Sequence, residues 1–154
     1  MRKGRLILAD ALYYTQDRFK PRFMVDVATL TGAMRVALGG EYAGLFSEKD
    51  ELAQALEKAD QEVGEKLWRL PTGKAYDNEL NSSIADIKNI TAPGCGAGSV
   101  IWAQFLARFV DQMPWAHIDI ANVNMSFKNK ALSPRGPVGF GIALLNRWVK
   151  NGAG

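Results

Sequence analysis

Apolar side chains near the start of the chain recur at the spacing of an α-helix. Between residues 6 and 19 the stripe consists of Leu8, Ala11, Leu12 and Phe19, with Thr15 filling a gap. Residues three or four apart lie on one face of a helix, so this spacing predicts a helix with one buried face. Pro21 follows. Because proline has no N–H and clashes with the preceding turn, we expect the helix to end before it.

The clearest helix pattern lies in residues 48–64, directly after Ser47. Acidic side chains occupy its first turn, where they complement the helix dipole. Its apolar stripe stops at Gly64 and consists of Leu52, Ala55, Leu56, Ala59 and Val63. Further helices are predicted in residues 33–40, 99–113 and 139–152.

Strand patterns separate these helices. Residues 22–30 and 115–123 are apolar at nearly every position, which is typical of strands covered on both faces. Residues 41–47 form a second short strand between them. Alternating strands and helices predict an α/β fold with a parallel or mixed sheet and helices on both sides. Three clear strands are few for such a sheet, so we expect it to be incomplete.

The intervening segments have weaker patterns. Residues 66–73 are predicted to be extended, residues 74–90 to form a short helix and a loop, and residues 124–140 to form a loop.

Composition narrows the class of protein. With 47% hydrophobic residues, the 154-residue chain fits one globular domain over residues 1–154. The net charge of +3 is scattered, with no basic run interleaved with aromatic side chains, so we expect no nucleic-acid partner. A single cysteine, Cys95, excludes an internal disulfide and favours a reduced, cytoplasmic compartment. No apolar segment is long enough to predict a membrane span.

Catalysis by a serine or cysteine nucleophile finds little support in the residues. Ser99 lacks the second glycine of the G-x-S-x-G turn that exposes a catalytic serine. Cys95 would need a neighbouring base, and the one histidine, His117, falls within a predicted strand. A hydrogen-bonded core residue is therefore the favoured interpretation of His117.

Two segments allow either a ligand or a purely structural interpretation. Residues 91–98 are glycine-rich and precede a helix, where backbone amides bind anions. Gly94, Gly96 and Gly98 do not fit the spacing of a nucleotide-binding loop, so close helix packing is favoured. Residues 29–32 follow a strand, where open α/β sheets bind ligands, and the alternative is an ordinary turn.

Three carboxylates stand apart from the acids of the solvated helix. Asp26, Asp86 and Asp119 lie beside or within apolar strand patterns. A buried carboxylate must be hydrogen-bonded, paired or coordinated to a metal. Of these roles, structural hydrogen bonding is favoured, and metal binding stays open.

Six ordered motifs resemble one family. They are GRLILADAL (4–12), DVATLTGA (26–33), LWRLP (67–71), IADIKNI (84–90), WAHIDIAN (115–122) and GFGIALLNR (139–147). Over essentially its whole length, the chain resembles the C-terminal part of the catalytic domain of the leucyl aminopeptidase (cytosol aminopeptidase) family. The resemblance implies a partial three-layer α/β/α sandwich with a mixed sheet. It also implies that the family's separate N-terminal domain and upstream metal-ligand segment are absent from this chain.

The resemblance also implies a metal-dependent reaction for intact members of the family. Intact members use two divalent cations, Zn, Mn or Mg, to activate a water that releases the N-terminal amino acid of a peptide. Of the family signature N-T-D-A-E-G-R-L, only Gly4-Arg5-Leu6 remains, and Met1 and Lys3 occupy the ligand positions. A thioether is a poor ligand for hard cations and an ammonium repels them. We therefore expect no metal cofactor and no activity for this chain alone.

Other family positions are retained. The resemblance assigns bicarbonate binding to Arg5 and contacts near the scissile bond and side-chain pocket to Thr29, Leu30 and Gly32, with Ala121 lining the same pocket. The family usually has glycine where Asn122 stands, so we expect a narrower pocket.

These features leave two alternatives to an inactive aminopeptidase domain. One is a non-catalytic interaction module that self-associates or pairs with a full-length aminopeptidase, because uncovered sheet edges favour association. The other is one half of a split enzyme whose metal ligands lie on another chain. Peptides are the substrates implied for the intact family.

Overall fold

The central sheet has four strands in the order β1-β4-β2-β3. In this computed structural model, which describes residues 2–89, 94, 96–129 and 135–152, they are β1 Met24–Ala28, β2 Ala43–Phe46, β3 Leu67–Arg69 and β4 Trp115–Asp119. β1 runs parallel to β4, β3 runs parallel to β2, and β2 runs antiparallel to β4. The sheet is therefore mixed, as predicted, and the extended segment at 66–73 contributes its fourth strand.

Helices cover both faces of the sheet. They are α1 Arg2–Phe19, α2 Ala33–Leu38, α3 Asp50–Val63, α4 Lys74–Asn78, α5 Gly98–Ala107 and α6 Ile142–Lys150. α3 and α6 pack together on one face, and α5 contacts α1, α2 and α4 on the other. The predicted partial α/β/α sandwich is confirmed.

Alternation along β4 creates the two cores. Successive strand side chains point to opposite faces, so Ala116 and Ile118 pack with α3 and α6, whereas Trp115 packs with α1 and α5. All five residues of β4 are buried, which explains why its sequence is nearly continuously apolar.

Local signals set the ends of α3. Its first turn carries Asp50 and Glu51. Its C-terminal residue is followed by Gly64, whose φ of 75° is left-handed and whose N–H donates to the Asp60 carbonyl. Glycine adopts this conformation without the steric cost that other residues bear.

The helix α1 was predicted, but its buried face differs from the predicted stripe. The buried residues are Arg5, Ala9, Leu12 and Gln16, whereas Ala11 and Phe19 are exposed. Gln16 is buried because its Nε2 donates to the Phe109 carbonyl and its Oε1 accepts from the Asp111 amide. An apolar pattern cannot reveal a core position taken by a hydrogen-bonded polar side chain.

Two further predictions were wrong. Residues 124–140 contain an antiparallel pair, β5 Met125–Ser126 and β6 Gly136–Pro137, where a loop was predicted. Strands of two residues are too short to show periodicity. Close packing was predicted for three glycines, but among the described residues a Cβ at Gly94 or Gly96 would meet no atom within 4 Å, and only one at Gly98 would contact Ala33 Cβ, at 3.8 Å. Gly94 and Gly96 have positive φ, 84° and 66°, which explains the choice of glycine. Cys95 and Met1 lie outside the described residues.

No helix in the part of the chain that the structure describes is long and apolar enough to span a membrane.

Candidate substrate-binding site

One buried carboxylate joins the two strand ends that carry the predicted substrate-binding residues. Asp119, the last residue of β4, is 1% exposed. Its Oδ1 accepts hydrogen bonds from the amides of Leu30 (3.0 Å) and Ala121 (3.1 Å). Its Oδ2 accepts from the amide (3.0 Å) and the hydroxyl (2.7 Å) of Thr31. Asp119 therefore fixes the loop after β1 relative to the turn after β4.

The strand register explains this meeting point. β1 and β4 are parallel and Ala28 pairs with Asp119, so both strands end at the same edge of the sheet. The 29–32 loop, defined as residues 29 to 32, leaves β1 there, and Ala121 leaves β4 beside it. This edge is where ligands bind in open α/β sheets.

A chain of hydroxyl groups extends the network to α5. Thr31 Oγ1 lies 2.7 Å from Ser99 Oγ, and Ser99 lies in the first turn of α5. Because a hydroxyl has one proton and that of Thr31 goes to Asp119, Ser99 is the donor to Thr31. Both side chains are buried. Ser99 thus helps to hold the loop, a structural role that its sequence context did not indicate.

The residues of the 29–32 loop differ in their exposure to solvent. Thr29 and Gly32 are exposed and Ala121 is half-buried. Leu30 is buried and packs in the core that includes Leu12 and Phe105. Leu30 therefore anchors the loop with its side chain, and the exposed positions on either side of the buried pair Leu30-Thr31 remain open to a ligand.

Arg5 lies against the same helix, α5. Its guanidinium carbon is 3.3 Å from the centroid of the Trp102 ring, and its Nη2 donates to the Asn89 carbonyl at 3.0 Å. Trp102 stands three residues after Ser99, so the two side chains lie on neighbouring turns of one helix face. α5 therefore connects the 29–32 loop with the predicted anion-binding arginine, which is 6% exposed.

Comparison with known proteins identifies the family. The catalytic-domain model of the cytosol aminopeptidase family matches residues 2–146. The chain belongs to the cytosol aminopeptidase family. Similar proteins named probable cytosol aminopeptidase occur in Wolbachia pipientis wMel (58% identical over 149 residues), Ehrlichia ruminantium strain Gardel (55% over 148) and Rickettsia massiliae strain Mtu5 (55% over 150). Each match covers 96% of this chain but 30% of the relative.

The family's metals do not fit the donors present here. Lys3, which the sequence resemblance assigns to a ligand position, is exposed on α1, and Met1, assigned to the other, lies outside the described residues. Among the residues that the structure describes, no group of three His, Cys, Asp or Glu side chains could hold a metal ion. An ammonium group repels a divalent cation.

The three carboxylates singled out in the sequence have different surroundings. Asp26 and Asp119 are hydrogen-bonded, as favoured from the sequence. Asp86 was predicted to lie against a strand, but it is exposed in a bent segment after α4. The polar residues around Asp86 gave too weak a pattern to place it.

His117 forms a buried pair with Asp26. Its Nδ1 lies 2.6 Å from Asp26 Oδ1, and Trp115 Nε1 donates to Asp26 Oδ2 at 2.8 Å. The imidazole stacks between the rings of Phe46 and Trp115. Burial lowers the pKa of His117, but the charge and hydrogen bond of Asp26 and the charge of Asp119 together raise that pKa above its ordinary value of 6.5. The predicted core role of His117 is confirmed.

Asn122, which follows the predicted pocket residue Ala121, is 3% exposed. Its Nδ2 donates to the carbonyls of Gly39 (2.8 Å) and Tyr42 (2.7 Å). The side chain therefore holds the turn between α2 and β2.

Proposed function

We propose that this chain retains the peptide-binding side of a leucyl aminopeptidase active site and is catalytically inactive alone. The observation that carries the proposal is the Asp119 carboxylate, which holds the 29–32 loop and Ala121 at one edge of the sheet. Membership of the cytosol aminopeptidase family supports the same assignment. Residues 1–154 would act as one domain in the cytoplasm.

Each retained position has a role in this proposal. Thr29, Leu30 and Gly32 contact the N-terminal residue of a peptide near its scissile bond, and Ala121 lines the pocket for its side chain. Arg5 holds a bicarbonate. The two divalent cations of the intact family would require carboxylates that positions 1 and 3 do not supply. Catalysis would then need a second polypeptide that carries them.

Binding of L-leucinamide to the full 154-residue chain tests the proposal. We expect amide NMR shifts at residues 29–32 and 121, with a dissociation constant of about 1 mM or weaker, since the ligand is small and no metal holds its amino group. Glycinamide, which lacks the side chain, should bind more weakly. If saturating ligand causes no amide NMR shifts at residues 29–32 and 121, the proposal is wrong.

A pair of glycine variants sharpens this test. No atom of the described residues lies within 4 Å of a Cβ built at Gly32, and its φ is −66°, so Gly32→Ala should fold normally. We expect it to weaken L-leucinamide binding, because the added methyl group occupies the ligand's space. Gly40→Ala is the matched control, since its Cβ would meet only the Asn122 carbonyl at 3.9 Å. Equal binding by both variants would contradict the assignment of Gly32.

A non-catalytic interaction module is the second candidate. The exposed side of α1 carries large apolar residues, including Ile7 (68% exposed) and Phe19 (67%). Within the described residues, β1 pairs only with β4, so its outer edge offers unpaired backbone groups. Such surfaces favour self-association or pairing with a full-length aminopeptidase. Light scattering tests this candidate: a monomer at high concentration with no co-purifying partner would contradict it.

A further inference from the structure

We propose that Asp119 is the positioning residue of the substrate-binding site and sets the conformation in which the 29–32 loop meets a peptide. This inference rests on the proposed function, because it concerns the same site. Asp119 contacts no part of a ligand itself, since it is 1% exposed beneath the loop. It acts through the backbone groups of Leu30, Thr31 and Ala121.

The hydrogen-bond geometry uses both oxygens of Asp119 as acceptors. Each oxygen of Asp119 accepts two hydrogen bonds. Of the four donors, three are backbone amides and one is the Thr31 hydroxyl. A carboxylate has only acceptor sites, whereas an asparagine amide presents an NH₂ group. Asp119→Asn therefore places donors against donors on one side of the group. At least one of the four hydrogen bonds is lost in an otherwise isosteric change, because the NH₂ group faces at least one backbone amide, whereas the Thr31 hydroxyl can turn and accept.

The 29–32 loop is fixed at its two central residues, Leu30 and Thr31. This distinguishes Asp119 from a buried carboxylate that holds no loop. Thr31 joins the loop to Asp119 on β4 and to Ser99 on α5. Leu30 on one side is fixed by its buried side chain and its amide. The exposed Thr29 and Gly32 are thus placed by residues that no ligand touches.

Asp26 provides a matched control. It is a second carboxylate in the same sheet, on the strand next to Asp119, and it accepts from Trp115 and pairs with His117. Neither of its partners belongs to the 29–32 loop. Asp26→Asn therefore removes buried carboxylate charge at a comparable structural cost without touching the loop.

The test compares the full-length chain with three variants, Asp119→Asn, Thr31→Val and Asp26→Asn. L-Leucinamide affinity and amide hydrogen exchange are measured by NMR at matched temperatures below each unfolding transition. We expect Asp119→Asn to weaken binding about tenfold and to accelerate exchange selectively at Leu30, Thr31 and Ala121. Asp26→Asn should change affinity less than about twofold, even where it lowers thermal stability.

Thr31→Val keeps the proposal testable if Asp119→Asn does not fold. It preserves the carboxylate and the side-chain shape while removing the hydroxyl that bonds to Asp119 and Ser99, so we expect about threefold weaker binding. Equal affinity losses in Asp119→Asn and Asp26→Asn, or no loss in Asp119→Asn and Thr31→Val, would overturn the proposal. If the unmodified chain does not bind L-leucinamide, the proposed function fails. The exchange rates at the three amides still decide whether Asp119 positions the loop.

Discussion

Asp26 and His117 face each other across the parallel β1–β4 pair, with 2.6 Å between Oδ1 and Nδ1. The pair lies beneath the sheet edge that carries the 29–32 loop, and Asp119, two residues along β4, adds a second negative charge near the imidazole. Two carboxylates on adjacent strands thus have separate tasks. Asp26 holds the histidine in the core, and Asp119 holds the proposed binding site.

The His117 pair predicts how stability depends on pH. Because the pKa of His117 is higher in the folded chain than its ordinary 6.5, the folded state binds the proton more tightly. The stabilisation is complete below pH 6.5 and is lost as pH rises through the folded pKa, by at most about 1.4 kcal/mol per pH unit. Urea unfolding from pH 6 to 9 measures it. His117→Gln should remove this decline, and an unchanged decline would contradict the assignment.

The tight packing of Gly44 in β2 predicts a steric effect. A Cβ at this position would collide with Met34 Sδ and lie 3.2 Å from Phe46 Cε2. Gly44→Ala should therefore lower the free energy of unfolding by about 1–3 kcal/mol. Gly4→Ala is the control, because nothing lies within 4 Å of its Cβ and alanine favours the helical backbone of α1. A Gly44→Ala chain as stable as the unmodified one would show that Met34 moves freely.

Substitution of Gln16 should lower the free energy of unfolding, because a buried side-chain amide is lost. Its two hydrogen bonds tie α1 to the backbone after α5, so Gln16→Ala leaves a carbonyl and an amide unpaired. We expect a loss of about 1–3 kcal/mol in chemical unfolding. The neighbouring Asp17 is exposed, and Asp17→Ala should change stability by less than about 0.5 kcal/mol. Similar effects of the two substitutions would contradict the role given to Gln16.

Substitution of Asn122 should lower the stability of the fold without changing ligand affinity. Asn122→Gly introduces the residue that the resemblance leads us to expect there and removes both hydrogen bonds to the α2–β2 turn. The free energy of unfolding should fall by about 1–3 kcal/mol. L-Leucinamide affinity should stay within about twofold, because the side chain is directed to that turn. Markedly tighter binding by the variant would instead support a narrowed pocket.

Local patterns were enough to predict most of the fold. The acidic first turn and terminal glycine define α3, and continuous apolar residues define β4 because both of its faces are covered. The site was harder to predict. Asp119 and the 29–32 loop are 88 and 89 residues apart in sequence along their hydrogen bonds, so only the parallel register brings them together. The sequence did show polar residues at the ends of two strands. These residues indicate the edge of the sheet where a site lies, but they do not indicate which groups are hydrogen-bonded.

Turnover by the purified chain decides whether it is catalytically inactive alone. The chain is passed through a size-exclusion column, and each fraction is incubated with leucine p-nitroanilide and Mn²⁺. We expect no release of nitroaniline above the buffer rate in the fractions that contain the chain, because Met1 and Lys3 stand where the resemblance implies carboxylate ligands. Sustained turnover that follows the chain through the column and stops on chelation would contradict it.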